Sequence, residues 1–282
     1  MRISEILPEA ARALADSGVP EPVRESSSIL QFALGRDRVF LFSHPEYELT
    51  DEEYSRFDEL LGRRRNREPL QYITGRQEFY GLEFLVTPAV LIPRPETEML
   101  VAKGLEILRG LKEPEFAEIG VGSGCISVSI LANLTNAKAV GSEISPGALA
   151  VAKANAERHS VSGRIELFES DLCEAFGDRR FDMIISNPPY VPASDIDGLQ
   201  PEVRSFEPHT ALTDGGDGLS IVNRIIHDSA AFLKSGGYLL MEIGFSQAER
   251  VRSVFDLSIW QNVDILPDFQ AIPRMVVACT KR

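Results

Sequence analysis

Residues 187–190 read Asn-Pro-Pro-Tyr and follow directly on the apolar run Phe181–Ser186. In an open α/β sheet the carboxyl ends of the strands face the ligand crevice, so this tetrapeptide is expected at the edge of a site. Two consecutive prolines fix the backbone and remove two N–H donors, leaving carbonyl oxygens that can point outward. Asn187 adds a side-chain acceptor oxygen. A planar NH₂ group could donate one hydrogen to Asn187 and the other to the Pro188 carbonyl, with Tyr190 stacked on it to shut out water. The nitrogen of a carboxamide is a poor nucleophile, because its lone pair is delocalised into the carbonyl. Two acceptors on its hydrogens push density back onto nitrogen and stabilise positive charge as it forms. No Lys, His or carboxylate base is required, since the proton leaves after the attack. Asn187, Pro188, Pro189 and Tyr190 are therefore the candidate catalytic and amide-binding residues; an Asn-Pro turn at a strand end is the plainer reading.

A second cluster lies upstream. Gly120, Gly122 and Gly124 stand in Glu-Ile-Gly-Val-Gly-Ser-Gly, immediately after the apolar run 116–119. Glycines there let the chain turn tightly and let backbone approach a ligand where a Cβ would clash. The dinucleotide fingerprint G-x-G-x-x-G needs a third glycine where this chain has Cys125, which disfavours a pyrophosphate ligand. Glu143 closes the next strand, where a carboxylate can accept hydrogen bonds from both hydroxyls of a ribose. Asp171 follows the third strand, placed to reach an adenine amino group or, alternatively, to cap a helix. A nucleoside with a ribose and no phosphate suits this set. S-adenosylmethionine is such a molecule, and its sulfonium methyl is an electrophile for a nitrogen held at Asn187; S-adenosylhomocysteine would be the product.

These side chains need a scaffold. From about residue 115 the pattern alternates, with strands at 116–119, 139–144, 165–168, 181–186 and 238–243 and helices at 125–134, 147–158, 217–234 and 247–255. Such alternation predicts a doubly wound, mostly parallel α/β sheet with helices on both faces. Two late strands, 258–265 and 274–278, lack room for a crossover helix and should pair as an antiparallel hairpin. Residues 191–213 are long for a connector and read as an active-site cover.

Residues 1–75 have helical spacing instead. Ile3, Ile6, Leu7, Ala10, Ala11 and Leu14 recur until Gly18 and Pro20, and Ile29, Leu30, Ala33 and Leu34 mark a second helix that ends near Gly35. A third begins with Thr50 as N-cap and Glu53 three residues on, with Tyr54, Phe57, Leu60 and Leu61 as its apolar face. Arg63, Arg64, Arg65 and Arg67 at its end read either as a solvated helix terminus or as a docking patch for an anionic surface. Residues 76–94 are strand-like and punctuated by Gly81 and Pro88, a hairpin between two domains. Pro95 can stand in the first turn of a helix over Leu100, Leu105 and Leu108. The expected division is a helical domain at 1–75, a hairpin linker at 76–94 and an α/β domain at 95–282.

Composition narrows the partners. The chain is 44% hydrophobic and carries 29 basic against 42 acidic residues, a formal charge of -13. That apolar content excludes a free coil, and the charge repels bare phosphate, so direct nucleic-acid binding is not expected. Cys125, Cys173 and Cys279 are too few for a disulfide framework, and they and His44, His159, His209 and His227 have no metal-ligand spacing. No metal is expected. Glu5 and Glu9 interrupt any N-terminal apolar run and no span of roughly 18 apolar residues occurs, so the expectation is a cytoplasmic protein without a membrane segment.

Several longer segments carry a resemblance. They are Glu68-Pro69-Leu70-Gln71-Tyr72-Ile73-Thr74-Gly75 followed by Phe79-Tyr80-Gly81, Leu91-Ile92-Pro93-Arg94-Pro95-Glu96-Thr97-Glu98, Asn187 to Tyr190, Gly215-Gly216-Asp217-Gly218-Leu219, and Glu242-Ile243-Gly244 with Gln247. In these the chain resembles, over nearly its whole length, the glutamine-N5 methyltransferases of the HemK/PrmC family, which modify bacterial peptide chain release factors. The resemblance implies a small helical N-terminal domain joined by a hairpin to a class I, Rossmann-like methyltransferase domain of seven strands. It also implies transfer from S-adenosylmethionine to the glutamine of the Gly-Gly-Gln motif of class I release factors; a monomer is expected. Glu118, Gly120, Gly122, Gly124, Glu143, Asp171, Leu172 and Asn187 would then hold the cofactor, and Arg94 and Glu96 would lie near the substrate with the Asn187 motif. On the residues alone, Arg94 could equally brace two domains through an ion pair, and Glu96 and Glu98 could cap a helix turn. The family commonly has Asp at Glu118 and Glu143, Thr at Val121, and a glycine two or three residues before Arg274.

Other functions fit parts of the pattern. An adenine-N6 methyltransferase acting on DNA or RNA could use the same motif on an exocyclic amine, given a basic groove for a flipped base. A relative could methylate glutamine on a ribosomal protein, which the first domain's resemblance disfavours. A non-catalytic module would not need the glycines or Asn187, and an NAD oxidoreductase is disfavoured by Cys125.

Overall fold

The computed structural model describes residues 1–281, which divide into two units: Met1–Arg76 with Gln200–Phe206, and Gln77–Leu199 with the chain from Glu207 onward. In the first unit, α1 (Ile3–Asp16), α2 (Pro22–Leu34), α3 (Arg38–Ser43), α4 (Asp51–Arg65) and α5 (Leu70–Thr74) pack around Ile3, Ile6 and Leu14, Ile29 and Leu30, and Phe57. The apolar residues of α1 recur every three or four positions, so they share one face and bury it. Thr50 and Glu53 form the expected capping box, with the Glu53 N–H donating to Thr50 Oγ1 at 3.2 Å and the Thr50 N–H to Glu53 Oε2 at 2.9 Å. Helix α3 had no signal in the periodicity; Asp37 caps it by accepting from the Phe40 N–H at 2.8 Å. Tyr54, expected on the buried face of α4, is 40% exposed.

Of the arginines at the end of α4, Arg65 is exposed, as a solvated helix terminus would have it, while Arg63, Arg64 and Arg67 are drawn into ion pairs. Arg64 is 3% exposed and pairs with Glu25 and with Glu202, the latter at 3.0 Å, while Arg67 reaches Glu202 at 2.6 Å. Arg63 pairs with Glu68 at 2.5 Å. Burial pushes the Glu202 carboxyl up, but the Arg67 and Arg64 guanidiniums outweigh it and hold it below the usual carboxylate range.

The second unit starts at Gln77, within the hairpin of β1 (Arg76–Phe79) and β2 (Leu82–Leu85). Tyr80 and Gly81 turn it with φ of +52° and +73°, the two positive values a tight hairpin turn requires. Strand character stops at Leu85. Val90, Leu91 and Ile92 lie outside any strand, in a stretch where Pro88, Pro93 and Pro95 supply no N–H donors. A single turn at Pro95–Thr97 leads into α6 (Glu98–Leu108).

The chain then builds β3 (Glu115–Ile119), α7 (Cys125–Asn133), β4 (Lys138–Glu143), α8 (Pro146–Arg158), β5 (Ile165–Glu169) and β6 (Phe181–Ser186). Helix α9 (Pro201–Phe206) follows, within the segment that groups with the helical unit; then come α10 (Ser220–Ser229), β7 (Leu233–Glu242), α11 (Ala248–Arg252), β8 (Trp260–Pro267) and β9 (Pro273–Thr280). The seven-stranded sheet has the order β5-β4-β3-β6-β7-β9-β8. β3 to β7 are parallel neighbours, and β9 pairs antiparallel with β7 and with β8. The fold is the doubly wound sheet with an antiparallel tail.

Helices α10 and α11 are shorter than their sequence patterns. The Asp214 side chain accepts from the N–H groups of Gly216, Gly218 and Ser220 and delays the start of α10. The cover of residues 191–213 is not structureless: a two-turn 3-10 helix at Ala193–Gly198 and a single turn at His209–Ala211 flank α9. Among the described residues no helix is long and apolar enough to cross a membrane.

Candidate active site

Register brings the sequence-separated candidates to one edge. Ile119 at the end of β3 stands beside Ser142 of β4 and Ser186 of β6, so Gly120, Glu143 and Asn187 are the next residue out on three adjacent strands. Ser186 in turn stands beside Met241 of β7, which puts Glu242 next to Asn187. Strand order reverses at β3, where crossovers leave to opposite sides and a crevice opens. A cavity of about 300 Å³ lies there, within the second unit.

One wall is the glycine turn. Gly120, Gly122 and Gly124 have φ of +72°, +55° and +80°. A Cβ on Gly120 or Gly122 would meet no protein atom within 4 Å, and both residues border the cavity. Glycine there leaves space for a ligand rather than for a neighbouring side chain. Asn155 on α8 fixes the turn from behind, donating to the Ser123 carbonyl at 2.8 Å and exchanging hydrogen bonds with the Leu85 backbone.

Glu143 borders the cavity and accepts from the Gly122 N–H at 2.8 Å and the Ser145 N–H at 2.9 Å, one on each oxygen. Each oxygen keeps a lone pair for a diol. Glu118 is buried, accepts from the Ser127 N–H at 2.9 Å, and has its carboxyl pushed up to about 8 by burial. A cationic ligand beside it would favour the ionised form. Ile144, 63% exposed, and Leu172, with φ of +47°, add apolar surface beside Glu143 and Asp171. Asp171 lines the cavity and pairs with Arg224 at 2.8 Å; it caps no helix. Carboxylates for a diol and a cation, an apolar slot and an open glycine cradle suit S-adenosylmethionine.

Of the tetrapeptide, Asn187 and Pro189 border the cavity, while Pro188 is buried and Tyr190 lies behind them. Asn187 Nδ2 donates to Thr97 Oγ1 at 3.1 Å, and Thr97 donates to Glu242 Oε2 at 2.7 Å. The Tyr190 hydroxyl donates to Glu242 Oε1 at 2.9 Å, and burial pushes that phenol well above its usual range. Gln247 Nε2 donates to the Tyr190 carbonyl at 2.9 Å, and a Cβ on Gly218 would sit 2.2 Å from that same oxygen. Arg94 borders the cavity and pairs with Glu207 at 2.6 Å, both within the second unit; Glu96 is exposed and does not line the cavity. Glu98 accepts from the Tyr80 N–H at 2.8 Å, which fastens the hairpin turn to the start of α6. The three cysteines are buried thiols.

Residues 5–75 match the PrmC N-terminal domain and residues 97–200 the methyltransferase small domain. The chain is 43% identical over 278 residues to the release factor glutamine methyltransferase of Koribacter versatilis, covering 98% of each chain. It is 44% identical over 274 residues to that of Geobacter sulfurreducens, covering 97% of this chain and 95% of the relative. The chain belongs to the release factor glutamine methyltransferase family. Like other members of that family it is an S-adenosylmethionine-dependent methyltransferase. Among solved structures, the hMettl16 catalytic domain in complex with an RNA hairpin is similar in fold, with a TM-score of 0.58, 20% identity, and coverage of 72% of this chain and 76% of that one. A methyltransferase from Pyrococcus furiosus is similar at a TM-score of 0.51 and 16% identity, covering 72% and 90%.

Sequence reading missed two side chains that this release factor glutamine methyltransferase site brings against Asn187. Thr97 and Glu242 are 2% and 4% exposed, and only family likeness drew attention to their segments. A polar residue closing an apolar strand, as Glu242 does after Leu239, Leu240 and Met241, is the signal that was available.

Proposed function

We propose that the chain transfers a methyl group from S-adenosylmethionine to the side-chain amide nitrogen, N5, of the glutamine in the Gly-Gly-Gln motif of class I peptide chain release factors. The observation that carries the reading is Asn187, which borders the cavity with its NH₂ tied back to Thr97, so its acceptor oxygen is the end left for a substrate amide. Gly120 and Gly122 would hold the cofactor's backbone-facing side, Glu143 its ribose hydroxyls, Asp171 and Leu172 its adenine and Glu118 its cationic end. Bound there, S-adenosylmethionine supplies an electrophilic methyl carbon on a positively charged sulfur.

The chain's own work is then positioning and charge. Asn187 Oδ1 and the Pro188 carbonyl accept the two amide hydrogens, which localises the nitrogen lone pair and stabilises the positive charge that grows there. Pro189 flanks the amide plane, Tyr190 behind it steadies the segment through Glu242, and Arg94 keeps its place at the cavity through Glu207. The proton lost by nitrogen departs after the transfer, so no side chain need take it in the rate-limiting step. Because the cavity admits one side chain, residues 1–75 would recognise the body of the protein substrate. The enzyme would act as a monomer, in the cytoplasm, on protein rather than nucleic acid.

Purified release factor incubated with the enzyme and S-adenosylmethionine should gain one methyl group on its Gly-Gly-Gln peptide by mass spectrometry. Asn187→Ala should abolish the transfer while cofactor binding persists in calorimetry. Methylation of DNA in place of the peptide, or unchanged turnover by Asn187→Ala, would overturn the reading.

A further inference from the structure

An amide side chain has two ends of nearly equal size, and only the polarity of its neighbours decides which end faces which way. At Asn187 that polarity is set two residues away. An ionised carboxylate can only accept, so Glu242 takes the single proton of Thr97 at 2.7 Å. Thr97 Oγ1 then has only lone pairs left to offer, and its other partner must donate. That partner is Asn187 Nδ2, at 3.1 Å. The second carboxylate oxygen takes the Tyr190 hydroxyl at 2.9 Å. One buried group therefore touches both side-chain anchors of the Asn187–Tyr190 segment without bordering the cavity itself.

We propose that Glu242 is a positioning residue which, through Thr97, turns the acceptor end of Asn187 toward the cavity and, directly, holds Tyr190 beside it. The inference rests on the amide-methylation reading above and deepens it by naming what orients the acceptor. Reversing the polarity of Glu242 reverses the chain: a donor at that position makes Thr97 an acceptor from it, the Thr97 proton then points at Asn187, and the amide flips its NH₂ toward a substrate NH₂. Two donors facing each other cannot bind. Burial pushes the Glu242 carboxyl above its ordinary value, opposed by the Thr97 and Tyr190 hydroxyls and by Arg274 on β9. Glu96 raises it further, and Cys125 on α7, which also feels Glu242, stays a neutral thiol. Protonation should therefore switch the site off at a pH higher than an exposed carboxylate would give.

The test uses four variants of the full chain with release factor as substrate. Thr97→Ser keeps the relay and should keep kcat within about twofold of wild type. Thr97→Val has the same shape without the hydroxyl and should lower kcat by roughly tenfold or more, the effect of one orienting hydrogen bond, with S-adenosylmethionine Kd unchanged by calorimetry. Glu242→Gln, near-isosteric, has one acceptor arm where the carboxylate has two, so it cannot accept from both Thr97 and Tyr190 and should also lower kcat. At saturating S-adenosylmethionine it should also lack the acid limb of the wild-type kcat–pH profile. Wild-type kcat in Thr97→Val, equal loss in Thr97→Ser, an unchanged acid limb in Glu242→Gln, or cofactor affinity falling in step with kcat would each overturn the inference. Asn187→Ala, run beside them, separates the two levels. If it is inactive while Thr97→Val is normal, only the positioning role fails; if it turns over normally, the amide-methylation reading fails first.

Discussion

Glu118 illustrates how a single carboxyl can work against the fold that holds it. It is buried, accepts from the Ser127 N–H, has no cation among the groups that act on it, and burial pushes its carboxyl up from 4.5 to about 8. A folded value above the unfolded one means a stability contribution that is full below pH 4.5 and lost as pH rises toward about 8. Glu118→Gln has no such loss. Urea unfolding without cofactor should show the Gln variant gaining on wild type between pH 5 and pH 8, by about 1.4 kcal/mol at most for each pH unit in that window. A stability difference that stays constant across the range would mean the carboxyl is already ionised in the fold. Sequence made Glu118 visible as the acid before the glycine turn, since motif spacing is local. Its burial and its isolation from cations depend on α7 packing above it, and no spacing along the chain encodes that. The same holds for Thr97 and Glu242, 145 positions apart in sequence: the register of β6 with β7 sets Glu242 beside Asn187, and the turn before α6 brings Thr97 to both.

Elements were legible wherever one periodicity ruled. The sheet strands are apolar runs bounded by turn residues, and helix α4 announces its start by its capping box. Legibility failed where irregular backbone is held by a side chain rather than by a repeat. Helix α3 rests on one capping aspartate, and the cover of residues 191–213 is a string of short helical pieces, each begun at or next to a proline. The β8–β9 connection is of the same kind. Asp268 accepts from the N–H groups of Gln270 and Ile272 and from Arg274, and between them Ala271 adopts φ of +62°. The family's usual glycine near this position would carry that conformation without strain. Ala271→Gly should therefore stabilise the protein by about 1 kcal/mol, the left-handed penalty less the added freedom of the unfolded chain. A thermal midpoint that is unchanged or lower would show that the turn tolerates its Cβ.

At the scale of the whole molecule the chain does not divide at one point. Gln200–Phe206 belongs with the helical unit although the residues on either side of it belong to the other. Its Glu202 meets Arg64 and Arg67, contacts between residues 138 and 135 positions apart, which no local pattern could suggest. Arg64 and Arg67 looked like part of a helix end in water because sequence records the charge and not what returns to cover it. Removing one member of a buried pair leaves the other exposed to a low dielectric, so Glu202→Ala should cost about 3 kcal/mol in urea unfolding and speed amide exchange in α9. Loss of less than about 0.5 kcal/mol would show that Glu25 alone satisfies Arg64.

The return of Gln200–Phe206 also bears on how such proteins can be rebuilt. A chimera that swaps residues 1–76 for those of a relative, at the boundary any reader of the primary structure would choose, would strand a glutamate whose basic partners had been replaced. The interchangeable piece has two seams, and a successful graft must carry a seven-residue island from the far side of the gene along with it.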